Sequence, residues 1–311
     1  MVVFLLLKFA LAEFKSDREY RNVSSHTLDS YMLTLKEFHT YAVEQEVLNL
    51  EDCSQSLVKG YLLYCSKKRN NNPTTVNTKL HTLKIFFNYF EKEMEIFTEK
   101  SNPTKRLGFA KEEIKIEVFT DAQIKQMLNF YQRMKFRDKT YFAYRGYFLI
   151  IFLISSACRL GETVNLRWND VNLNDQVITV TGKKRTASSI PMTGKLRKEF
   201  LEYKLFVEAN FGNLPDYVFT NKDGEKLSEN ALKCIFKYLK TQMNFKNVRL
   251  SAHTFRHTAA HRMIMAGCDI GTVQKILRHS NVSMTLRYFA LWGTALAEQN
   301  EKFNPLNNLD L

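Results

Sequence analysis

Apolar residues recur every three to four positions along most of the chain, which is the spacing of amphipathic helices. In the first hundred residues this spacing predicts three helices. One is capped by Ser24 or Ser25, one runs through residues 57–65, and Pro73 opens the third. The apolar residues 2–7 indicate a buried first helical turn or a misplaced start, because no basic stretch precedes them as in a secretion signal.

The middle of the chain changes pattern twice. Residues 103–118 are polar and contain a proline, which is typical of a linker. Residues 147–154 form an apolar run that predicts a core helix and is far shorter than the ~20 residues a membrane span needs. β-type residues at 177–180 and 190 predict a small sheet.

The predicted fold class is therefore mainly α, with two domains. Residues 1–102 form a helical domain, and 103–118 link it to a larger domain. Residues 119–311 form that larger, mostly helical domain with a small antiparallel β-sheet.

The charge is strongly basic and unevenly distributed. The chain has 45 Lys and Arg against 32 Asp and Glu, a net charge of +13. Residues 1–110 carry 15 basic and 13 acidic side chains, whereas residues 111–311 carry 30 and 19. A polyanionic partner is expected, held mostly by the second half. The five cysteines are widely spaced without a Cys-x-x-Cys pair, which favours reduced thiols in a cytosol over disulfides or a zinc site.

The second half also carries residues suited to phosphodiester chemistry. Residues 157–162 read Ala-Cys-Arg-Leu-Gly-Glu, 181–185 read Thr-Gly-Lys-Lys-Arg, and 253–257 read His-Thr-Phe-Arg-His. Residues 277–280 read Leu-Arg-His-Ser, and Tyr288 stands nine residues after the histidine of that segment. Arginines can neutralise charge on non-bridging oxygens, a tyrosine can attack, and lysine or histidine can move protons.

Several of these side chains have more than one interpretation. His253 and Arg256 are three residues apart and share a helix face, so one phosphate can meet both. His253, His257 and His261 are spaced four apart, but no glutamate lies between them as in a His-Glu-x-x-His metal site. We therefore predict no metal, with His257 and His261 as packing or surface residues. Glu162 either orients Arg159 or is a surface acid.

Taken in this order, the segments resemble the tyrosine recombinases, the family of phage integrases and chromosome-dimer resolvases. The resemblance extends over nearly the whole chain, and the N-terminal helices resemble the family's core-binding domain. Two positions depart from the family pattern: Cys158 stands where leucine is usual, and Arg278 stands where glycine is usual. The added charge of Arg278 is expected to alter DNA contacts or the pKa of His279. The resemblance implies a catalytic set of Arg159, Lys183, His253, Arg256, His279 and Tyr288.

The resemblance also implies a mechanism. Tyr288 attacks a DNA phosphate to form a 3′-phosphotyrosyl bond, while Arg159 and Arg256 hold that phosphate and His279 supports it. Lys183 protonates the leaving 5′-oxygen, although Lys184 follows it directly and either lysine could serve. His253 helps with the tyrosine proton. Neither a metal nor another cofactor is expected.

The expected partner is double-stranded DNA, bound by a homotetramer on two duplexes, with no membrane association. Residues 290–311 would dock on a neighbouring protomer. The resemblance places the protein in the cytoplasm, associated with the nucleoid. Further DNA contacts are expected from Lys184 and Arg185 in the hairpin, and from Lys79 and Lys84, which lie outside the apolar stripe of the third helix. Ordinary solvated lysines are the other interpretation of Lys79 and Lys84.

Two other functions stay open at this point. A type IB topoisomerase would share most of the chemistry without joining partner strands. A basic DNA-binding protein without catalysis would lack a tyrosine or arginine of the set, and none is missing. The sequence does not decide the target site, nor whether the enzyme serves a mobile element or the chromosome.

Overall fold

The computed structural model describes residues 4–112, 115–182 and 187–292. The chain divides into two compact units, Met1–Ile114 and Lys115–Leu311. Both units are mainly helical, and the second contains three short antiparallel strands. The predicted fold class is confirmed. Within the described residues, no helix is both long enough and apolar enough to cross a bilayer.

Four helices lie within the described part of the first unit: α1 (Leu7–Tyr20), α2 (Ser25–Glu44), α3 (Gln55–Lys67) and α4 (Pro73–Lys92). Side-chain oxygens of Ser24, Ser54 and Asn72 accept hydrogen bonds from the first turns of α2, α3 and α4, and Pro73 begins α4 as predicted. The sequence predicts only a first helical turn here, and α1 is longer because its second half, residues 13–20, is largely polar and exposed and therefore lacks an apolar stripe.

Aromatic side chains fill the core of this unit. Phe14 of α1 meets the edge of Phe86 of α4, with the ring centroids 5.4 Å apart. Such edge-to-face contacts bury large apolar areas in favourable geometry. The same core contains further fully buried rings on α2, α3 and α4: Phe38, Tyr61, Phe87 and Phe90.

Lys79 is buried inside this unit rather than turned to solvent. Only 8% of its surface is exposed, and its ammonium group pairs with the carboxylate of Glu37 on α2. Glu37 also pairs with Arg69 at 3.0 Å and accepts a hydrogen bond from the Tyr61 hydroxyl at 3.3 Å. Burial alone would raise the pKa of Glu37, but the two cations outweigh it, so the pKa lies below its usual value.

This burial argues against the prediction that Lys79 faces DNA. The buried stripe of α4 is wider than the predicted one, because α4 packs against both α2 and α3. Lys84 is half-buried, and its ammonium group lies 4.9 Å from the centre of the Phe109 ring. Both lysines therefore have partners within their own unit.

Eight helices of the second unit lie within the described residues: α5 (Asp121–Arg137), α6 (Tyr141–Ser156), α7 (Leu160–Asn165), α8 (Gly194–Phe211), α9 (Glu229–Met243), α10 (Ala252–Met265), α11 (Ile270–Leu277) and α12 (Val282–Trp292). The strands β1 (Val171–Asn172), β2 (Val177–Thr181) and β3 (Ala187–Pro191) form the sheet in that order. In β2 and β3, Ile178 pairs with Ile190 and Thr181 with Ala187. The predicted small antiparallel sheet lies where the β-type residues indicated it.

The apolar helix α6 runs through the middle of the second unit. Phe148 of α6 stacks on Tyr203 of α8 with a centroid distance of 4.4 Å. On another side Gly146 admits α5, because a Cβ at this position would lie 2.2 Å from the ring of Tyr131. α10 packs on α6 as well. α6 is therefore held in place by three neighbouring helices.

Residues 183–186 lie outside the described residues, and they include Lys183, Lys184 and Arg185. Most of the segment after Tyr288, residues 293–311, also lies outside them. The predictions for these residues remain predictions.

The buried pair predicts a loss of stability when Lys79 is replaced by methionine. We expect the free energy of unfolding of the first unit to fall by about 1.5–3 kcal/mol, the net contribution of a hydrogen bond that involves charged groups. Glu37 must be ionised for the pair to form, so the difference should be full at neutral pH. It should shrink as the pH falls through the depressed pKa of Glu37.

Hydrogen exchange of peptides from residues 55–92 in urea measures this stability in the full chain. Lys59→Met is the matched control, because Lys59 is exposed on α3. Equal protection in the Lys79→Met and Lys59→Met proteins would contradict a stabilising role for the pair.

Candidate active site

The first predicted arginine follows a left-handed turn at the end of α6. Ala157 has φ 51°, and its N–H still donates to the Leu153 carbonyl at 3.1 Å. The chain then turns so that Arg159 directly precedes α7, with 42% of its side chain exposed. Between them Cys158 is fully buried, and burial raises the pKa of its thiol to about 11. Cys158 therefore packs as a small apolar residue, and Arg159 is presented from a rigid support.

Glu162 joins two arginines in a buried ion-pair arrangement. Its carboxylate accepts from Arg159 Nη1 at 2.6 Å and from Arg278 Nη2 at 2.8 Å. It also accepts from the backbone N–H of Arg159 at 2.8 Å. Burial would raise the pKa of Glu162, but Arg278 and then Arg159 outweigh burial and lower it, so the group is ionised. Of the two interpretations of Glu162, these contacts favour orientation of Arg159.

Arg256 is among the most buried polar side chains of the described part of the chain. It lies on α10 with 2% of its surface exposed. Its Nη1 donates to the Ala157 carbonyl at 2.9 Å, and its Nη2 donates to the Leu277 carbonyl. Burial, followed by repulsion from Arg159 and Arg278, lowers its pKa to about 10, so it stays charged at neutral pH. The guanidinium groups around Glu162 make this an attractive place for an anion.

Tyr288 lies on α12 beside a row of histidine rings. Its hydroxyl is 2.6 Å from Nδ1 of His257, and 4% of its surface is exposed. The rings of His253 and His257 have centroids 4.1 Å apart, and the ring of His279 stacks on Tyr288 at 6.0 Å. Nδ1 of His279 is fixed by Oγ1 of the buried Thr285 at 2.8 Å.

These histidines are neutral at physiological pH. Burial is the largest cause of a lowered pKa at His253, His257 and His279, and the positive charge of Arg256 lowers all three further. At His257, the ring of His253 lowers the pKa more than the charge of Arg256 does, and the pKa is about 4. The pKa of His279 is also about 4. Burial raises the pKa of Tyr288, while Arg256 opposes that rise. A neutral histidine can accept a proton, which a protonated one cannot.

The structure brings five of the six predicted catalytic residues into one site on the turn after α6, α10, the end of α11 and α12. The sixth, Lys183, lies outside the described residues. In the described ranges no three His, Cys, Asp or Glu side chains are grouped to hold a metal ion. The five are Arg159, His253, Arg256, His279 and Tyr288.

His257 differs from expectation, and Arg278 matches one of its two expected roles. His257 was predicted as a packing or surface residue, but it contacts the hydroxyl of Tyr288. The sequence does contain a signal for this role: His257 follows His253 by one helical turn, so both rings lie on the same face of α10. Arg278 was expected to alter DNA contacts or the pKa of His279. Its side chain turns inward to Glu162, and its charge contributes to the lowered pKa of His279.

The chain is similar to known recombinases along most of its length. The family described as Phage integrase family matches residues 117–292, and the Phage integrase, N-terminal SAM-like domain matches residues 14–94. The chain therefore belongs to the phage integrase family, whose members are tyrosine recombinases. The predicted family is confirmed.

Individual relatives agree with this assignment. The tyrosine recombinase XerC of Leptospira interrogans is 26% identical over 285 residues, covering 92% of this chain and 89% of the relative. A tyrosine recombinase of Pseudothermotoga lettingae is 27% identical over 293 residues, covering 93% of each. The prediction of a site-specific recombinase enzyme is thereby confirmed.

Solved structures share the fold at lower identity. The integrase of transposon Tn1549 in complex with transposon right end DNA has a TM-score of 0.77 and 19% identity, covering 91% of this chain and 94% of that one. A lambda integrase tetramer bound to a Holliday junction has a TM-score of 0.70 and 16% identity, covering 92% and 77%.

Proposed function

We propose that this protein cuts and rejoins double-stranded DNA at a specific site through a 3′-phosphotyrosyl intermediate. The observation that carries the proposal is the position of the Tyr288 hydroxyl. It is hydrogen-bonded to the neutral ring of His257, and it lies close enough to the buried Arg256 for that charge to affect its pKa. A phosphate between that hydroxyl and the guanidinium groups would meet a nucleophile and its charge stabilisers together.

The first chemical step is a transesterification. The Tyr288 hydroxyl gives its proton to Nδ1 of His257, and its oxygen forms a bond to the scissile phosphorus. The bond from phosphorus to the 5′-oxygen breaks, and Lys183 or Lys184 at the hairpin tip supplies a proton to that oxygen. Arg159 and Arg256 neutralise charge on the non-bridging oxygens in the transition state.

The resemblance assigned the tyrosine proton to His253, and the geometry favours His257 as the immediate acceptor. His257 is hydrogen-bonded to the tyrosine, and the ring of His253 lies next to it. His253 can therefore take the proton onward or bind the phosphate. His279, fixed by Thr285 beneath the ring of Tyr288, supports the phosphate.

The second step reverses the first with a different strand. A 5′-hydroxyl attacks the phosphotyrosine and releases Tyr288, so the energy of the broken bond is conserved. Four protomers on two duplexes would perform the exchange, a proposal supported by the similarity to a lambda integrase whose tetramer is bound to a Holliday junction. Residues 290–311 would dock on a neighbouring protomer. The protein would act in the cytoplasm, associated with the nucleoid.

We assign residues 1–102 as a core-binding domain, 103–118 as a linker and 119–311 as the catalytic domain. The division into two compact units near residue 114 supports this proposal. In the hairpin, Lys184 and Arg185 are proposed to contact DNA. A topoisomerase or a binding protein without catalysis is not favoured, because the curated relatives are named as tyrosine recombinases.

Replacing Tyr288 by phenylalanine should abolish covalent attachment to DNA. The substrate is a nicked duplex whose sequence is first selected from a randomised pool by binding to the wild-type protein. After incubation and denaturing electrophoresis, wild type should give a covalent band, and Tyr288→Phe should bind the duplex without giving one. Tyr238→Phe is the control, because Tyr238 is exposed on α9. A normal band from Tyr288→Phe would remove this residue as the nucleophile.

Replacing Arg159 or Arg256 by alanine should slow cleavage far more than it weakens binding. Loss of one donor to an oxyanion costs roughly 10²–10³ in rate. Other basic residues hold the DNA backbone, so affinity should fall little. Arg262→Ala is the control, since Arg262 is also on α10 but pairs with the exposed Asp121. Near-normal single-turnover cleavage by either variant, folded by circular dichroism, would exclude that arginine from the site.

Replacing His257 by asparagine should separate hydrogen bonding from proton transfer. Asparagine keeps an acceptor near the position of Nδ1 but does not take up a proton, so cleavage should fall by about 10²–10⁴. Wild-type His257 is neutral above its pKa of about 4 and loses its acceptor function as the pH falls through that value. In the pH profile of kcat/KM, the acidic limb that His257 contributes should therefore have its midpoint near pH 4 rather than near the usual 6.5.

The pH profile of His257→Asn should differ from that of wild type. Because this variant has no group that takes up the tyrosine proton, its cleavage rate should rise steadily towards alkaline pH as the Tyr288 hydroxyl ionises on its own. Added imidazole should restore part of the rate of His257→Ala. If His257→Asn cleaves at the wild-type rate with the wild-type pH profile, His257 is not the acceptor.

A further inference from the structure

Arg278 occupies a backbone position that favours glycine. It follows α11 with φ 54°, in the left-handed region that side chains with a Cβ rarely adopt. This chain therefore accepts an unfavourable backbone conformation and carries a guanidinium group at this position. What that group contacts therefore indicates why an arginine is present.

The side chain of Arg278 is buried and turned towards the turn after α6. Its exposed fraction is 7%, and its Nη2 pairs with Glu162 at 2.8 Å. The same nitrogen donates to the Ala157 carbonyl at 3.2 Å. Nη1 donates to the carbonyl of Ile276 at 2.7 Å and lies 3.4 Å from that of Ser156. Arg278 thus joins the end of α11 to the turn between α6 and α7.

The partners of Arg278 are also the partners of the two phosphate-binding arginines. Glu162 holds the guanidinium of Arg159, whose Nη2 in turn donates to the Arg278 carbonyl at 3.0 Å. The Ala157 carbonyl accepts from Arg256 as well as from Arg278. Each catalytic arginine therefore shares an acceptor with Arg278.

We propose that Arg278 is a positioning residue that fixes Arg159 and Arg256 in phosphate-binding geometry through Glu162 and the Ala157 carbonyl. It acts without touching the DNA, since its guanidinium faces the protein interior. The inference rests on the proposed function of the site. Because a small displacement of positioned groups slows a reaction strongly, the effect belongs to the cleavage step.

Replacing Arg278 by glycine tests this role. Glycine relieves the backbone and removes the guanidinium, so the variant should fold while cleavage of the selected nicked duplex slows by about 10-fold to 100-fold. The dissociation constant for that duplex should change less than twofold. Arg278→Lys should recover part of the rate, because it restores a charge without the planar fork that binds two acceptors.

The matched control is Asn244→Gly. Asn244 ends α9 in the same left-handed conformation, with φ 50°, on a helix that contributes none of the five site residues. The glycine variant should gain the same backbone freedom without slower cleavage. Glu162→Gln combined with Arg278→Gly should slow cleavage by less than the product of the two single effects, because both changes break the Arg278–Glu162 pair.

A substrate with an uncharged scissile group distinguishes misplaced catalytic arginines from general damage to the protein structure. A methylphosphonate at the cleavage position carries no negative charge on its non-bridging oxygen and needs less from the arginines. The slowing caused by Arg278→Gly should therefore shrink on this substrate. Equal slowing on both substrates, or wild-type cleavage of the ordinary one, would overturn the inference.

Different results would contradict the proposed function itself. If wild type formed no covalent band on the selected duplex, or if Tyr288→Phe formed a normal one, the recombinase chemistry itself would be wrong and the role of Arg278 would fall with it. A normal wild-type band together with unslowed Arg278→Gly would overturn the positioning role alone.

Discussion

Glu162 is a buried carboxylate between two guanidinium groups, and the geometry of the site depends on it. A buried charge is costly unless it is paired and hydrogen-bonded, and Glu162 meets that condition with Arg159, Arg278 and a backbone N–H. The pairing also links parts of the chain more than a hundred residues apart. The turn after α6 and the end of α11 are therefore held together by charge as well as by apolar packing.

The same arginines contribute to the protonation states around the nucleophile. Burial first, and then the positive charge that attracts a phosphate, disfavour protonated histidine, so His257 and His279 stay neutral with a pKa of about 4. The positive charge also opposes the rise that burial gives to the pKa of Tyr288. The charge that binds a phosphate therefore also helps to keep the proton acceptors neutral. An incoming phosphate would offset part of the positive charge at the moment when the histidine receives its proton.

The supports of this site are apolar and rigid. α6 is buried between α5, α8 and α10, and the absence of a Cβ at Gly146 allows α5 to lie close. Near the nucleophile, small residues such as Ala259 and Ala260 pack with Tyr288 in one cluster. The first unit has its own aromatic core and uses Lys79 inside it. Lys79 is therefore less available to a polyanion than its position on a helical wheel indicates.

The sequence by itself determined most of the helices, the small sheet and the identity of most site residues. Helical periodicity, a cap such as Ser24 and a helix start such as Pro73 are local signals. The spacing from His253 to Arg256 and from His279 to Tyr288 is likewise carried in the chain itself. Only the tertiary structure decided where individual side chains point. Lys79 is buried because α4 packs against two helices, Arg278 turns inward because Glu162 lies opposite, and His257 meets Tyr288 because α10 packs on α12. Such contacts join distant segments, and no local pattern of apolar and polar residues encodes them.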